Sequence, residues 1–421
     1  MMKFICILLE KVSIIKFIKV IIYRVSLLFK FIFDKLFSFT CFIEKKIYGL
    51  KKKFFGVFNK LTIKHLIKKY KNVIIFNHYR FPWEDLLYQR PQHLAMGLGK
   101  DKNTIVFYCT NHEKDYCLLN RKVGKNVYLT NEFDYLIRCK GINKILYSFS
   151  TNGFLNYEDI KKYSKNMKII YDYVDEFSLI KHLNNYDMLL RNHVKILKDE
   201  SIIVLCTAQK IYDDAKKYRK RNLYMVSNGC SVNDFNKEIK KIPSSLRSIK
   251  ANFKKVILYY GALFDWFDYD LLKKCASAYK DYAFVLIGLL QTSSILDENS
   301  INEYDNIFYL GTKKYKDLYK YSKSADLLIV PFIINDITIS CNPVKIFEYM
   351  AVKRPILTTN MPECKKYSSV VVANNSDEFI KLLPKTIEKK YDKKYLNNEL
   401  KEAKQNSWDA KAKDIMDLLK L

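Results

Sequence analysis

The feature that most constrains the fold is the alternation, from Val73 onward, of short apolar runs with polar stretches of helical length. The runs are rich in Val, Ile, Leu and Tyr at consecutive positions, which is typical of parallel strands buried on both faces. They lie at 73–77, 104–109, 127–130, 145–150, 168–174, 201–206, 223–228, 255–261, 282–288, 306–311, 325–332, 354–360 and 370–373. A basic stretch at 237–255, which we predict to be a linker, divides them into two series. We therefore predict an α/β protein with two doubly wound domains.

The net charge of +29 over 421 residues predicts an anionic partner: nucleic acid, an acidic membrane surface or a phosphorylated ligand. Residues 1–72 hold 17 basic and three acidic residues, a net charge of +14, and the other +15 is spread over the remaining chain. No RNA- or DNA-binding motif is recognisable, so we expect no nucleic acid partner. No G-x-G-x-x-G follows a predicted strand, which disfavours a dinucleotide-dependent oxidoreductase.

The N-terminal segment is apolar but regularly interrupted by charge. From Phe4 to Phe39, apolar residues recur every three or four positions and lysines fall between them, which predicts an amphipathic helix. Its longest uncharged run has eight residues, too short for the ~20 that span a bilayer, and no signal-peptide cleavage site follows. We expect residues 1–60 to bind an anionic membrane surface, placing the protein in the cytoplasm, peripheral on the inner face of the cell membrane. A coiled-coil seam for self-association, or packing on the rest of the chain, are the alternatives.

The cysteines and one acidic pair give no sign of a metal or disulfide framework. Ten cysteines include no C-x-x-C, and Cys109, Cys206 and Cys230 lie in or beside predicted strands, which favours buried thiols in a reducing compartment. Asp268 and Asp270 form a D-x-D pattern at a helix start rather than in a loop after a strand. We therefore predict no metal site and no cofactor.

The most informative stretch is 325–363, which reads as strand, loop, helix and strand. Asn342 suits an N-cap and Pro343 suits the first helical turn, so we expect a helix to begin there. Its free N–H groups would follow the carboxyl end of a parallel strand, where they can bind phosphate. Lys345 could pair with a phosphate oxygen, and Glu348 could accept hydrogen bonds from ribose hydroxyls. The alternative is that these two side chains form a surface ion pair.

Within this stretch, NPVKIFEYMAVKRPILTT resembles the C-terminal domain of group 1 glycosyltransferases with the GT-B fold, especially the bacterial teichuronic-acid-type and surface polysaccharide enzymes. Similar segments occur in matching order at 83–95, 169–177, 226–235, 259–272 and 406–419. The resemblance covers about 73–421 and implies two Rossmann-like domains facing a cleft.

The N-terminal pattern and the resemblance together divide the chain into four parts. These are a basic amphipathic helical segment (1–72), an N-terminal acceptor domain (73–245), a C-terminal nucleotide-sugar domain (246–390) and a closing helix that packs back on the N-terminal domain (391–421).

The function implied is metal-independent transfer of a sugar from a nucleotide-diphosphate sugar to a lipid-linked or cell-surface saccharide, in bacterial polysaccharide biosynthesis. The donor-binding residues implied are Gly261, Gly311, Thr312, Asn342, Pro343, Val344, Lys345 and Glu348. Glu348 matches the second glutamate of the family's E-x7-E pattern, whereas Ser340 stands at the first. The loop GALFDWFD lacks the family's Arg and Lys for the diphosphate, so Lys345 is the expected substitute. These departures leave open a catalytically degraded, GT-B-like binding or scaffold protein at the membrane.

The N-terminal domain would supply the acceptor side of the cleft. Its first strand ends in FNHYRFPW rather than a glycine-rich loop, so His78, Arg80, Arg90 and His93 are expected to line the cleft. Asp175, after the strand 168–174, is placed to be a general base for an acceptor hydroxyl, or else a helix N-cap. His78 is the second catalytic candidate, with a structural role as its alternative. Without a base, the reaction would retain anomeric configuration, assisted by the leaving phosphate.

Overall fold

The computed structural model describes residues 46–77, 82–84, 88–112, 115, 117–140, 143–150, 156–291 and 303–421. The predicted amphipathic helix from Phe4 to Phe39 lies outside these residues, as do His78 and Arg80. Residues 46–67 are helical, and Ile63 and Ile67 at the end of this helix are buried in the core of the N-terminal domain. Within the described ranges, no helix is both long and apolar enough to cross a bilayer.

The described residues form an eight-stranded sheet in the N-terminal domain, in the order β3-β4-β2-β1-β5-β6-β7-β8. Its strands are β1 (Asn72–Asn77), β2 (Thr104–Cys109), β3 (Arg121–Lys122), β4 (Val127–Thr130), β5 (Asn143–Phe149), β6 (Lys168–Tyr173), β7 (Ile203–Cys206) and β8 (Leu223–Met225). Neighbours are parallel except β3 and β4. All seven predicted strands are present. The sequence did not predict β3, because two exposed residues carry no periodic signal.

A six-stranded, all-parallel sheet forms the C-terminal domain over the described residues, in the order β11-β10-β9-β12-β13-β14. Its strands are β9 (Lys255–Tyr260), β10 (Tyr282–Ile287), β11 (Ile307–Tyr309), β12 (Leu327–Val330), β13 (Ile356–Thr358) and β14 (Val370–Val372). This is the 3-2-1-4-5-6 order of a Rossmann domain. The strand order reverses between β9 and β12, and the carboxyl end of that junction is where such sheets bind ligands.

Helices cover both sheets and connect the domains. In the N-terminal domain they are Arg90–Leu98, Phe133–Arg138, Tyr157–Ser164, Phe177–Ile180 (3₁₀), Tyr186–Lys198 and Gln209–Lys216. Val232–Phe235 follows in the connection between the sheets. The C-terminal domain has Ser244–Asn252, Tyr269–Ala278, Tyr315–Ser324, Asp336–Ile339, Val344–Val352, Cys364–Lys366 (3₁₀), Ser376–Glu388, Lys389–Tyr391 (3₁₀) and Lys393–Gln405, and the chain ends with Trp408–Leu419.

The prediction of a linker over 237–255 was wrong for its second half. Residues Ser244–Asn252 form a helix, and Leu246 and Ile249 on it are buried in the core of the C-terminal domain. The three-residue spacing of these two apolar side chains is enough to anchor one helical face, although lysines surround them in the sequence.

The end of the chain crosses back between the domains. Lys393–Gln405 packs against Val344–Val352 in the C-terminal domain, and Trp408–Leu419 packs against Arg90–Leu98 in the N-terminal domain. The second contact is close at Gly97, where a Cβ atom would lie 2.8 Å from Cβ of Ala412. The segment 391–421, predicted as one closing helix, thus contains two helices, of which Trp408–Leu419 contacts the N-terminal domain and Lys393–Gln405 contacts the C-terminal domain.

Two local expectations are confirmed by the side chains. Cys109, Cys206 and Cys230 are buried free thiols. Asp268 caps the helix Tyr269–Ala278, because its Oδ1 accepts a hydrogen bond from the N–H of Leu271 at 2.8 Å. The D-x-D pattern thus has a structural explanation at its first residue.

Candidate functional site

Three glycines form the floor of the candidate donor site. Gly261, Gly288 and Gly311 follow β9, β10 and β11, with positive φ angles of 145°, 148° and 66°. The N–H of Gly288 donates to the carbonyl of Gly311 at 3.1 Å, and a Cβ atom on Gly288 would lie 1.7 Å from the carbonyl oxygen of Gly261. Because glycines have no side chain, a ligand can approach the backbone closely here. Gly288 was not among the predicted site residues, although it ends an apolar run as the other two do.

The helix Val344–Val352 begins beside this floor, one residue later than predicted. Pro343 is at its N-cap, with no side-chain cap hydrogen bond. Asn342 does not cap the helix, since its Oδ1 accepts from the N–H of Asn228 at 3.0 Å and its Nδ2 donates to Oε2 of Glu363 at 2.9 Å. Its carbonyl also accepts from Nδ2 of Asn228 at 2.7 Å. Asn342 therefore fixes the loop before the helix, and the helix start keeps its affinity for an anion.

Lys345, in the first turn of that helix, lies over the first glycine. Its Nζ is 4.7 Å from the ring centre of Phe332 and 5.2 Å from that of Tyr259. A Cβ atom on Gly261 would be 3.0 Å from this nitrogen. Among the described residues no carboxylate pairs with it, and burial lowers the pKa of Lys345. A desolvated ammonium without a carboxylate partner is suited to an anionic ligand.

Glu348, one turn further, is buried rather than presented at the surface. It is 3% exposed, its Oε1 accepts a hydrogen bond from the hydroxyl of Tyr315 at 2.9 Å, and its Oε2 accepts one from the hydroxyl of Tyr260. Burial raises the pKa of Glu348. The alternative of a surface ion pair with Lys345 is therefore wrong. The ribose contact stays a prediction, and a ribose hydroxyl would share the carboxylate with two tyrosines.

On the N-terminal domain, the loop after β6 faces the loop before this helix. Oγ of Ser340 donates to Oε2 of Glu176 at 3.3 Å. Burial, together with the charge of Asp175, raises the pKa of the Cys341 thiol to about 12. The N-cap position of the 3₁₀ helix Phe177–Ile180 is Glu176, so the structure does not show Asp175 as that cap. Its role as a general base stays a prediction.

Arg90 lies inside the N-terminal domain and is 3% exposed. Its Nε and Nη2 donate to the carboxylate of Asp172 at 2.8 and 3.0 Å, and its Nη1 donates to the carbonyl of Ser227 at 3.0 Å and to Oδ1 of Asn228 at 3.2 Å. The hydroxyl of Tyr147 also donates to Asp172 at 2.8 Å. These contacts give Arg90 a structural role and do not support the expected cleft role. They also show Asp172 as a buried hydrogen-bonding group.

The other predicted site residues are distributed as follows. Thr312 is exposed directly after Gly311, and Val344 begins the donor-site helix. His93 is buried against the closing helix, where its ring stacks on Trp408 with centres 5.0 Å apart. The predicted donor residues are thus brought together at one sheet edge, while His93 belongs to a separate cavity.

Comparisons with known proteins agree with this architecture. The family model described as "Glycosyl transferases group 1" matches residues 254–388. TuaH of Bacillus subtilis strain 168, provisionally described as a teichuronic acid biosynthesis glycosyltransferase, is 21% identical over 222 residues. That alignment covers 51% of this chain and 55% of TuaH, so the chain spans about half the length of this curated relative.

Solved structures share the fold over most of the chain. HepE of Anabaena in complex with UDP has a TM-score of 0.62 at 14% identity, and a trehalose-6-phosphate protein of E. coli bound with UDP-2-fluoro glucose has 0.59 at 12%. Both comparisons cover 83% of this chain and 99% of the other. The predicted GT-B fold and the resemblance to group 1 glycosyltransferases are confirmed. The family match lies within the C-terminal domain, and the solved structures extend the shared fold over most of the chain.

Proposed function

We propose that the protein transfers a sugar from a nucleotide-diphosphate sugar to a lipid-linked or cell-surface saccharide in bacterial polysaccharide biosynthesis. The observation that carries this proposal is the ammonium of Lys345, which has no carboxylate partner within the described part of the chain and lies over Gly261 where the strand order of the C-terminal sheet reverses. HepE and the E. coli protein contain UDP or a UDP-sugar, and a ligand of that chemistry fits a cationic site with a glycine floor. No metal is needed to neutralise the diphosphate in this proposal.

In the proposed complex, the diphosphate contacts Lys345 and the start of the helix Val344–Val352, and the backbone of Gly261 lies beneath it. The nucleoside extends over Gly288 and Gly311 toward Thr312. An oxygen of the acceptor hydroxyl bonds to the anomeric carbon while the bond from that carbon to the phosphate oxygen breaks. The departing nucleoside diphosphate gains negative charge, which the ammonium stabilises. Asp175 takes the hydroxyl proton.

The test is release of nucleoside diphosphate from a panel of UDP-, GDP-, dTDP- and CDP-sugars, with a membrane extract supplying acceptors. We expect acceptor-dependent release from one donor class. Lys345→Met should lower kcat/KM by roughly 10²-fold or more, because one charge-stabilising contact to the leaving group is lost. The matched control is Lys316→Met, since Lys316 is exposed on the helix Tyr315–Ser324 of the same domain. Equal activity of the two variants would contradict the proposal.

A scaffold without activity is the second candidate function. It is favoured by Ser340 at the position of the family's first glutamate and by the two tyrosines on Glu348. A scaffold requires that Lys345→Met and Glu348→Gln together leave surface polysaccharide in cells unchanged. Loss of the polysaccharide with normal protein levels would exclude the scaffold.

The exposed apolar face of residues 46–61 supports the membrane part of the proposal. Ile47, Leu50, Phe54, Val57 and Leu61 recur every three or four positions and are exposed, with Leu50 at 68% and Phe54 at 64%. Lys51 and Lys53 flank this face on its two sides, which fits anionic lipid better than a purely apolar partner.

Flotation of the full chain with vesicles tests membrane binding. Vesicles containing phosphatidylglycerol should carry the protein, and vesicles of phosphatidylcholine alone should carry much less. Leu50→Ser with Phe54→Ser should weaken flotation. Equal recovery with both vesicle types, or a concentration-dependent dimer that these substitutions dissociate, would instead favour packing or self-association.

A further inference from the structure

A cavity of about 610 Å³ lies apart from the donor floor, where the chain passes between the domains. Its walls come from the helix Arg90–Leu98, the start of the helix Trp408–Leu419, residues 230–234 and Tyr315. This volume is within the ~300–1,000 Å³ typical of small-molecule sites. The cavity therefore has room for a ligand.

Two side chains that line this cavity each carry a buried nitrogen with no hydrogen-bond partner among the described residues: Nε2 of His93 and Nε1 of Trp408. The two side chains are 6% and 3% exposed, and their rings stack nearly in parallel, 10° apart. Burial lowers the pKa of His93 to about 3, so the imidazole is neutral. Buried polar atoms in folded proteins nearly always have a partner, so this pair indicates a missing one.

The chemistry of that partner follows from what the two nitrogens can do. The indole N–H of Trp408 can only donate a hydrogen bond, whereas Nε2 of a neutral imidazole donates or accepts according to its tautomer. A hydroxyl group both donates and accepts, so one hydroxyl, or two neighbouring ones, matches the pair.

The remaining walls exclude a strongly charged ligand. Lys100 and Lys404 are balanced by Asp234 and Asp409, and Lys100 pairs with Asp409 at 2.6 Å. A diphosphate would find no net positive charge here.

Aromatic faces complete the cavity. The ring of Tyr88 lies 4.6 Å from that of His93, edge to face, and 6.0 Å from that of Tyr315. Aromatic rings beside hydroxyl partners suit a sugar, whose C–H face is apolar and whose rim is polar.

We propose that this cavity binds a neutral pyranose unit of a saccharide, with hydroxyls bonded to His93 and Trp408 and a C–H face against Tyr88 and Tyr315. The proposal rests on the proposed function in taking the saccharide to be part of the acceptor. The hydroxyl of Tyr315 also donates to Glu348, so an occupied cavity would contact a residue that contacts the donor-site carboxylate.

Indole N–H resonances of the full-length protein test this directly. The chain has three tryptophans, Trp83, Trp266 and Trp408, so Trp408→Phe assigns the relevant signal by its loss. Neutral methyl glycosides of common hexoses, N-acetylhexosamines and deoxyhexoses are titrated one at a time, and UDP is titrated separately. We expect at least one glycoside to shift the Trp408 signal saturably, leaving the Trp266 signal in place. His93→Phe, which keeps a stacked ring, should weaken that glycoside roughly tenfold and leave UDP affinity unchanged.

Absence of a shift with every glycoside would overturn the proposal, as would a Trp408 shift caused by UDP alone, which would make the cavity a nucleotide site. An unchanged glycoside affinity in His93→Phe would also overturn it. The wild-type titration needs no variant to fold and no turnover. Its failure is therefore distinguishable from failure of the nucleotide-release assay, which tests the proposed function by itself.

Discussion

Gly288 is the glycine of the donor floor at which an added methyl group should be most destabilising. In Gly288→Ala the new Cβ atom would lie 1.7 Å from the carbonyl oxygen of Gly261 and 2.7 Å from its carbonyl carbon, and both are backbone atoms that cannot rotate away. The φ angle of 148° adds a strain of ~1–3 kcal/mol, because L-residues rarely adopt it. Relieving the overlap by moving a strand end costs a further ~1–3 kcal/mol.

We therefore expect Gly288→Ala to lower the free energy of unfolding by ~2–6 kcal/mol, a large part of the ~5–15 kcal/mol typical of a folded protein. Gly311→Ala is the matched control, since it also has positive φ, at 66°, but a Cβ atom there would meet no atom within 4 Å. Its cost should be only the ~1–2 kcal/mol of the left-handed conformation.

Urea unfolding of the two variants, followed by circular dichroism, measures the difference. UDP binding by calorimetry should weaken in Gly288→Ala, since the two loops separate. If Gly288→Ala is no less stable than Gly311→Ala, the close contact between these loops is not present in solution and the reasoning is refuted.

Other contacts give predictions with the same kind of readout. Arg90→Met should lower stability by ~3–5 kcal/mol, because it leaves the buried carboxylate of Asp172 without its cation; urea unfolding tests this, and a loss below 1 kcal/mol would contradict it. Gly97→Ala should cost ~1–3 kcal/mol by separating the helices Arg90–Leu98 and Trp408–Leu419, whereas Gly49→Ala, in open space on a helix, should be neutral or slightly stabilising. Burial raises the pKa of Glu399 well above its usual range, so folding favours its protonated form. The contribution of this carboxyl to the free energy of unfolding is complete below its pKa in the unfolded chain, ~4.3, and is lost as the pH rises through its pKa in the folded protein. The melting temperature of Glu399→Gln should therefore rise relative to that of the wild type between pH 4 and pH 9. A difference in melting temperature that does not change with pH would refute this.

The fold could be predicted because buried parallel strands leave continuous apolar runs in the sequence. All thirteen runs form strands, and among the described residues the two-residue β3 is the one strand that was missed. The linker prediction failed because a few apolar residues at helical spacing, Leu246 and Ile249, outweigh many exposed lysines in deciding whether a segment packs.

The site was predictable only where its chemistry is local. The family resemblance indicates Gly261 and Gly311, which end apolar runs, and Lys345 lies in the first turn of a helix whose start the sequence indicates. The partners of Glu348 are Tyr260 and Tyr315, which lie 88 and 33 residues away, and no spacing rule connects them.

Arg90 shows the same limit. An arginine before a proline at a helix start has the same local sequence whether it is solvated or buried, and its partner Asp172 is 82 residues away. Only the fold brings the two together.

The hydrogen bonds between Asn228 and Asn342 have a mechanical consequence. Asn228 is held by Arg90 on the N-terminal side, and Asn342 is held by Glu363 on the C-terminal side. With two bonds of 2.7 and 3.0 Å, this asparagine pair resists separation more than the single 3.3 Å bond between Ser340 and Glu176. Glu363 also accepts a hydrogen bond from the N–H of Gln209 at 2.8 Å, so the loop before the helix Val344–Val352 is tied to the N-terminal domain at two points, and a substitution at either asparagine should disturb the donor-site helix and the junction of the domains together.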